Sequence, residues 1–200
     1  MKRRTGTWLA LVAACMLLMP GCAFIKEHEK AAIGVGAGAV GGAAVGGLAG
    51  GSKGAVVGAV AGALAGGAVG AYLDHKDKTA EETQRAHNYS PEQGVRLELT
   101  SVAAEPQSVA PGGEVKLKAT YAVMAPDPQQ EVSVTETRSI LLGGAKVAEA
   151  AVNVNRTSGT YTSEVPLALP ADSVRGTYEV QVSVGTAGQS AMLATSFTVD

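Results

Sequence analysis

The chain is expected to be α+β in separate parts: a glycine-spaced helical membrane hairpin, a polar helical stalk, then an all-β antiparallel sandwich of about seven strands. Three observations predict this. Ten glycines recur at strict four-residue spacing from Gly34 to Gly70, with almost only Ala, Val, Ile, Leu and further Gly between them. Charges of both signs take over directly after Leu73. From about residue 95 the apolar period becomes two. The expected divisions are a removable leader (1–21), a tether (22–30), the hairpin (31–73), the stalk (74–94) and the sandwich (95–200). The net charge of −2 leaves no electrostatic footprint for nucleic acid.

The leader opens with Lys2-Arg3-Arg4 and continues through an apolar run from Trp8 to Met19, the layout of a secretory signal. It ends in Leu18-Met19-Pro20-Gly21-Cys22, which resembles the lipobox of bacterial lipoproteins. In this chain the Leu stands one place early and Pro20 is unusual for the motif. The resemblance implies palmitate-type diacylation of the Cys22 thiol, cleavage before it and acylation of the new amine. Val12-Ala13-Ala14-Cys15 is a second such string, but the apolar run before it is too short. An ordinary signal peptide with an incidental cysteine is the alternative. Ala23 rather than Asp follows Cys22, which in that family implies transfer to the outer membrane of a Gram-negative cell. No cysteine follows Cys22, so no disulfide or thiolate metal site is expected in the body of the chain. No cofactor is expected beyond the covalent lipid on Cys22.

The glycines in register are Gly34, Gly38, Gly42, Gly46, Gly50, Gly54, Gly58, Gly62, Gly66 and Gly70. From Ala31 to Leu73 the only polar side chains are Ser52, Lys53 and Tyr72. In water each interior glycine costs a helix about 1 kcal/mol relative to Ala. In lipid the backbone must bond internally, which pushes an apolar segment towards helix. Small residues four apart then let two backbones approach closely. Gly50-Gly51-Ser52-Lys53-Gly54 reads as a turn between residues 31–49 and 55–73, each 19 residues long. A spanning helix needs about 17–25 residues. The alternative is a disordered Ala/Gly linker. The pattern resembles the glycine-zipper two-transmembrane domain of bacterial envelope lipoproteins, including the segment joined to some OmpA-like proteins. The residues that carry the likeness are Gly34 to Gly70 in register and the following Ala71-Tyr72-Leu73-Asp74.

Segment 31–49 offers only Ile33, Val35, Val40, Val45 and Leu48 to drive insertion. They supply roughly 1.5–3 kcal/mol against its glycines, so it is expected to pass the translocon and insert later. The row of glycines is expected to pack helix on helix, with self-association or with another envelope protein.

Beyond Leu73, Asp74 with Lys78 and Glu81 with Arg85 sit at i, i+4 in the favourable order. The second zipper helix is therefore expected to continue to about His87. Ser90-Pro91 should end it, because a residue before proline avoids helical angles. A flexible linker is the alternative.

In the remainder, Val115, Leu117, Ala119, Tyr121 and Val123 alternate with polar residues, as do Tyr178, Val180, Val182 and Val184. Such alternation marks strands with one buried face. Strands are expected near 95–103, 114–124, 131–141, 145–154, 160–168, 176–184 and 191–199, separated by Gly- and Pro-rich turns. Val109-Ala110-Pro111-Gly112-Gly113-Glu114-Val115, Leu169-Pro170 and Gly176-Thr177-Tyr178-Glu179-Val180-Gln181-Val182 resemble immunoglobulin-like and fibronectin-III-like modules of bacterial envelope proteins. That likeness places Tyr178 at a tyrosine corner. It lacks the core Trp and the Cys pair of antibody domains.

Little points to catalysis. No His lies beyond His87, so the C-terminal half cannot build a nucleophilic triad. His28, His75 and His87 are too scattered for a metal, which needs three or four converging ligands. Glu131, Glu136, Glu149, Glu164, Asp172 and Glu179 are read mostly as outward strand or loop residues. The expected role is therefore non-enzymatic. A lipid-anchored outer-membrane envelope protein would hold a periplasmic sandwich for protein interaction or envelope integrity. The alternative is a zipper oligomer that forms a pore or perturbs the bilayer.

Overall fold

The computed structural model describes Gly54, residues 57–68 and residues 70–200. The leader, Cys22, the tether, Gly34, Gly38, Gly42, Gly46 and Gly50 lie outside the described residues, as does segment 31–49.

Nine strands follow the glycine-rich stretch among the described residues: β1 (Leu73–Lys78), β2 (Arg96–Glu105), β3 (Ser108–Val109), β4 (Glu114–Met124), β5 (Val132–Leu142), β6 (Ala145–Arg156), β7 (Gly159–Ala168), β8 (Gly176–Thr186) and β9 (Gln189–Val199). They form one sheet in the order β1-β7-β4-β2 and a second in the order β3-β9-β8-β5-β6. Every pairing is antiparallel except the two-residue contact of β3 with β9. Period-two alternation turns Val115, Leu117, Ala119, Tyr121 and Val123 of β4 inward to meet Tyr178, Val180, Val182 and Val184 of β8 in one core. The β5–β6 hairpin closes on Gly143-Gly144, whose φ values of 59° and 80° suit a primed two-residue turn that side chains resist. Tyr178 stacks on Phe197 with ring centroids 5.2 Å apart, and its hydroxyl donates to the Val174 carbonyl at 2.9 Å.

The expected α+β division, with a helical membrane hairpin and a helical stalk set apart from the sandwich, is corrected. The described residues are mostly strand, and no helix among them is long and apolar enough to cross a membrane. Residues 57–68 are helical, but Val60, Ala63, Leu64 and Ala68 belong to the same buried core as the strands. These positions recur at three- and four-residue spacing and form one apolar stripe, which buries against protein. Gly54, Gly58, Gly62 and Gly66 lie half-exposed beside that stripe, and Gly70 is exposed. The glycine that makes the close approach is Gly67, outside the four-residue row. A Cβ there would stand 2.1 Å from the carbonyl oxygen of Pro166 in β7.

The helix seats where β7 loses its partner. β1 pairs with β7 only from Thr160 to Glu164. Pro166 has no N–H to donate, and its carbonyl points at the passing helix. A proline is tolerated at such an edge, and the helix covers it.

The continuous helix expected through residue 87 is replaced by two elements. Residues 73–78 run as exposed edge strand β1 rather than pairing Asp74 with Lys78 along a helix. Thr79 then caps a new helix, Ala80–Ala86, in a capping box with Glu82. Each partner satisfies a backbone N–H at the helix start, and this reciprocal bonding fixes where it begins. Thr83 on its buried side meets Thr160 of β7, Oγ1 to Oγ1, at 2.9 Å.

Gly67→Val is expected to lower stability by about 1–3 kcal/mol through overpacking against β7. Ala65→Ser, at an exposed position of the same helix, is expected to change little. Urea unfolding of the full chain in detergent reads the difference. Equal midpoints for the two variants would show that the helix does not rest on β7.

Candidate functional site

The inner faces of the sandwich are not wholly apolar. On β5, Val132, Val134, Glu136, Arg138 and Ile140 share one parity, so all five point inward. Glu136 is fully buried and Arg138 nearly so. Arg156, at the end of β6, also turns inward. β4 and β7 bring Tyr121 and Tyr161 side by side, and β7 adds Ser163. Tyr72, just before β1, and Asp74, on β1, reach the same place from the zipper side.

Glu136 has all its acceptor capacity engaged. Its Oε1 accepts from the hydroxyls of Tyr72 and Tyr121, each at 2.6 Å. Its Oε2 accepts from Ser163 Oγ at 2.6 Å and from Arg138 Nη1 at 3.2 Å. Arg138 Nη2 donates in turn to Ser163 Oγ at 2.8 Å. Arg156 donates from Nε to the Tyr121 hydroxyl at 2.9 Å and from Nη2 to the Tyr72 hydroxyl at 2.7 Å. It forms an ion pair with Asp74, and its Cζ lies 4.7 Å from the Tyr161 ring centroid, within cation–π range. Two guanidinium groups thus face two carboxylates, and the cluster is neutral as a whole.

Burial alone would push the Glu136 carboxyl up. The Arg138 guanidinium and the hydroxyls of Ser163, Tyr121 and Tyr72 outweigh it and hold the group below the usual carboxylate range. Burial and the neighbouring Glu136 push both the Tyr72 and the Tyr121 phenols well up, so they stay neutral donors across the physiological range. A carboxylate with both oxygens saturated is poorly placed to accept a substrate proton. The geometry is that of a clamp: it fixes residues 72–74 against β4, β5, β6 and β7.

This placement corrects the grouping of Glu136 with outward acids. The signal was present in the sequence, since Glu136 and Arg138 share parity with Val134 and Ile140. Tyr72 also stood out as one of few polar residues in an apolar stretch. Among the other candidates, His75 Nε2 lies 2.7 Å from Asp77 and His87 Nδ1 lies 3.0 Å from Glu98. Among the described residues no group of three or more His, Cys, Asp or Glu is spaced to hold a metal. Cys22 and the glycines before Gly54 lie outside the described residues.

Residues 1–74 match the family described as YMGG-like Gly-zipper. That match covers the glycine row and ends at Asp74, inside the clamp. It is consistent with a membrane-associated protein. No curated protein matches the chain. Among solved structures, a family 123 glycoside hydrolase from Clostridium perfringens matches at 11% identity over 53% of this chain and 27% of its own, with a TM-score of 0.39. An alkylpurine DNA glycosylase from Pseudomonas fluorescens, bound to DNA with an abasic-site analogue, matches at 14% over 60% and 36%, with a TM-score of 0.39. A β-glucosidase from Listeria innocua matches at 14% over 52% and 16%, with a TM-score of 0.37. The chain spans about a third or less of each of these proteins, and likeness at this level carries no activity to it.

Glu136→Gln is expected to cost about 3–5 kcal/mol, because it leaves buried guanidinium charge uncompensated. Tyr72→Phe removes one hydrogen-bond donor and is expected to cost about 0.5–3 kcal/mol. The lowered folded-state pKa of Glu136 stabilises the fold above the ordinary glutamate range. That stability is lost as pH falls through the lower folded-state value. Urea midpoints measured from pH 7 down to about pH 3 should show this acid loss in the native chain and a shallower one in Glu136→Gln.

Proposed function

We propose that the chain is a non-enzymatic, lipid-anchored protein of the Gram-negative outer membrane. Cys22 carries the acyl groups. The glycine row packs against a helix of its own kind or of another envelope protein. The sandwich stands in the periplasm as an interaction module, immunoglobulin-like in the manner suggested by its turn sequences and the Tyr178 corner.

The observation that carries this reading is the continuity of residues 57–78. One stretch is glycine-rich helix, then clamp donor at Tyr72, then edge strand at Leu73–Lys78. Residues 57–68 and 70–78 are thus packed onto the sandwich, which suits a module held at a surface through the residues that precede them. Several acyl chains anchor a protein stably where one chain holds it only marginally. A pore made of both zipper segments finds no support in residues 57–68, whose apolar stripe is already buried in the sandwich.

Palmitate labelling tests the anchor. The native chain is expected to take up label at Cys22 in a globomycin-sensitive way and to fractionate with the outer membrane. Cys22→Ser is expected to lose the label and leave that fraction. A native chain that takes no label would sink the proposal.

A further inference from the structure

The molecule deals with its strand edges in different ways. β1 is short, polar and exposed along its length, with two Asp and two Lys among six residues. Charged edges of this kind resist pairing. β7 below Glu164 is covered by the helix at Gly67. β2 carries a bulge between Leu99 and Ser101, and the Gln189 side chain takes up the Leu97 N–H and the Val95 carbonyl. β3 is only two residues long, and β9 packs beside β2.

β6 is different. It is the terminal strand of the five-stranded sheet, has 12 residues, and contains neither Gly nor Pro. Its one register shift lies where Ile140 pairs with Ala148 and Leu141 with Lys146, so the bulge is at Val147. From Ala148 to Arg156 it is regular and pairs, among the described residues, only with β5. Ala150, Val152 and Val154 on its inner side are half-exposed because the sheet ends there. Glu149, Ala151, Asn153 and Asn155 on the other side are exposed.

We propose that β6 pairs antiparallel with β6 of a second copy of this chain, about a two-fold axis at Val152, making one continuous sheet across two molecules. The sequence of the regular run fits itself in this register. Val152 faces Val152 of the second copy, Ala150 faces Val154, Ala151 faces Asn153, Glu149 faces Asn155 and Ala148 faces Arg156. No like charges meet, and the half-exposed apolar residues are covered by their own counterparts. Main-chain bonds supply the attraction, and the apolar seam fixes the register. A contact of one strand is small by the standard of stable interfaces. It gains from confinement, because chains tethered to one surface meet at a raised effective concentration. In that respect the inference rests on the proposed anchor.

Disulfide trapping tests it in a full chain with Cys15 and Cys22 replaced by Ser, so that no native thiol or lipid interferes. The protein is held in detergent at raised concentration, and contact is read whether or not anchoring occurs in the cell. In an antiparallel pair, directly opposed Cβ atoms stand about 4.5–5.5 Å apart. Val152→Cys is therefore expected to form a covalent dimer on mild oxidation, and Gln181→Cys, in the middle of the same sheet, is not. Adding Ala151→Lys with Asn153→Lys sets like charges opposite each other across the axis and is expected to abolish the dimer. Adding Ala151→Lys with Asn153→Glu is expected to restore it. Absence of the Val152→Cys dimer would overturn the proposal. So would a dimer indifferent to the charge pairs, or one that Gln181→Cys forms equally well. Loss of palmitate labelling with trapping intact would instead sink the anchor and leave the contact standing.

Discussion

Two guanidinium groups cannot lie inside a β-sandwich without counter-charge; Asp74 supplies one carboxylate at the margin and Glu136 the other at the centre. The two oxygens of Glu136 accept four hydrogen bonds, from Tyr72, Tyr121, Ser163 and Arg138. Those donors come from β4, β5, β7 and the segment before β1. Arg156 of β6 ties the tyrosines together from the other side. A buried ionic cluster adds little net stability over an apolar core of the same shape, because desolvation offsets the attraction. It does discriminate between arrangements. A one-residue slip of β1 would turn Asp74 to the opposite face and strip Arg156 of its carboxylate. The cluster thus selects the register in which the N-terminal segment joins the sandwich.

That choice of register sets the position of everything before it. Tyr72 lies four residues after Ala68, which is buried in the core with the helix. Once Tyr72 is held, the helix must lie along the lower half of β7, and only a residue without a side chain fits opposite Pro166. The helix then shields the edge that β1 leaves open. Clamp, helix seat and edge cover are consequences of one another. Without residues 57–78 the four-stranded sheet would lose β1, β7 would carry an open edge, and Arg156 would lose both Tyr72 and Asp74.

The strands were legible because alternation is a direct record of which face is buried. The strand expected at 114–124 is β4 and that expected at 176–184 lies within β8. The region from 55 to 78 was not legible, for a physical reason. Ala and Gly have the same apolar character whether they pack on lipid, on a helix or on a sheet. The glycine row was visible, but the stripe that decides the packing runs beside it through Val60, Ala63, Leu64 and Ala68. Asp74 and Lys78 suit a helix surface at i, i+4, and they equally suit an edge strand that must avoid partners. Glu136 and Arg138 could have been read from parity alone, but charge argued outward and the partners came from distant segments.

Edges give the last link between fold and setting. A long, regular, uncovered strand is a hazard for a chain that diffuses freely, since any extended segment it meets can pair with it. The other edges are guarded in four ways: charge on β1, a helix over β7, a bulge with a side-chain mimic at β2, and a two-residue β3 with β9 packed beside β2. β6 has a bulge only at Val147, and beyond it the ladder is intact for nine residues. Selection against aggregation acts less strongly on an edge whose encounters are restricted in number and orientation. The clamp and the shared core fix the helix of residues 57–68 and strand β1 on the sandwich. Among the described residues, the joint at Tyr72 and the edge strand β6 share Arg156, which donates to the Tyr72 hydroxyl from the end of that strand, so an added strand on β6 would lie beside the clamp.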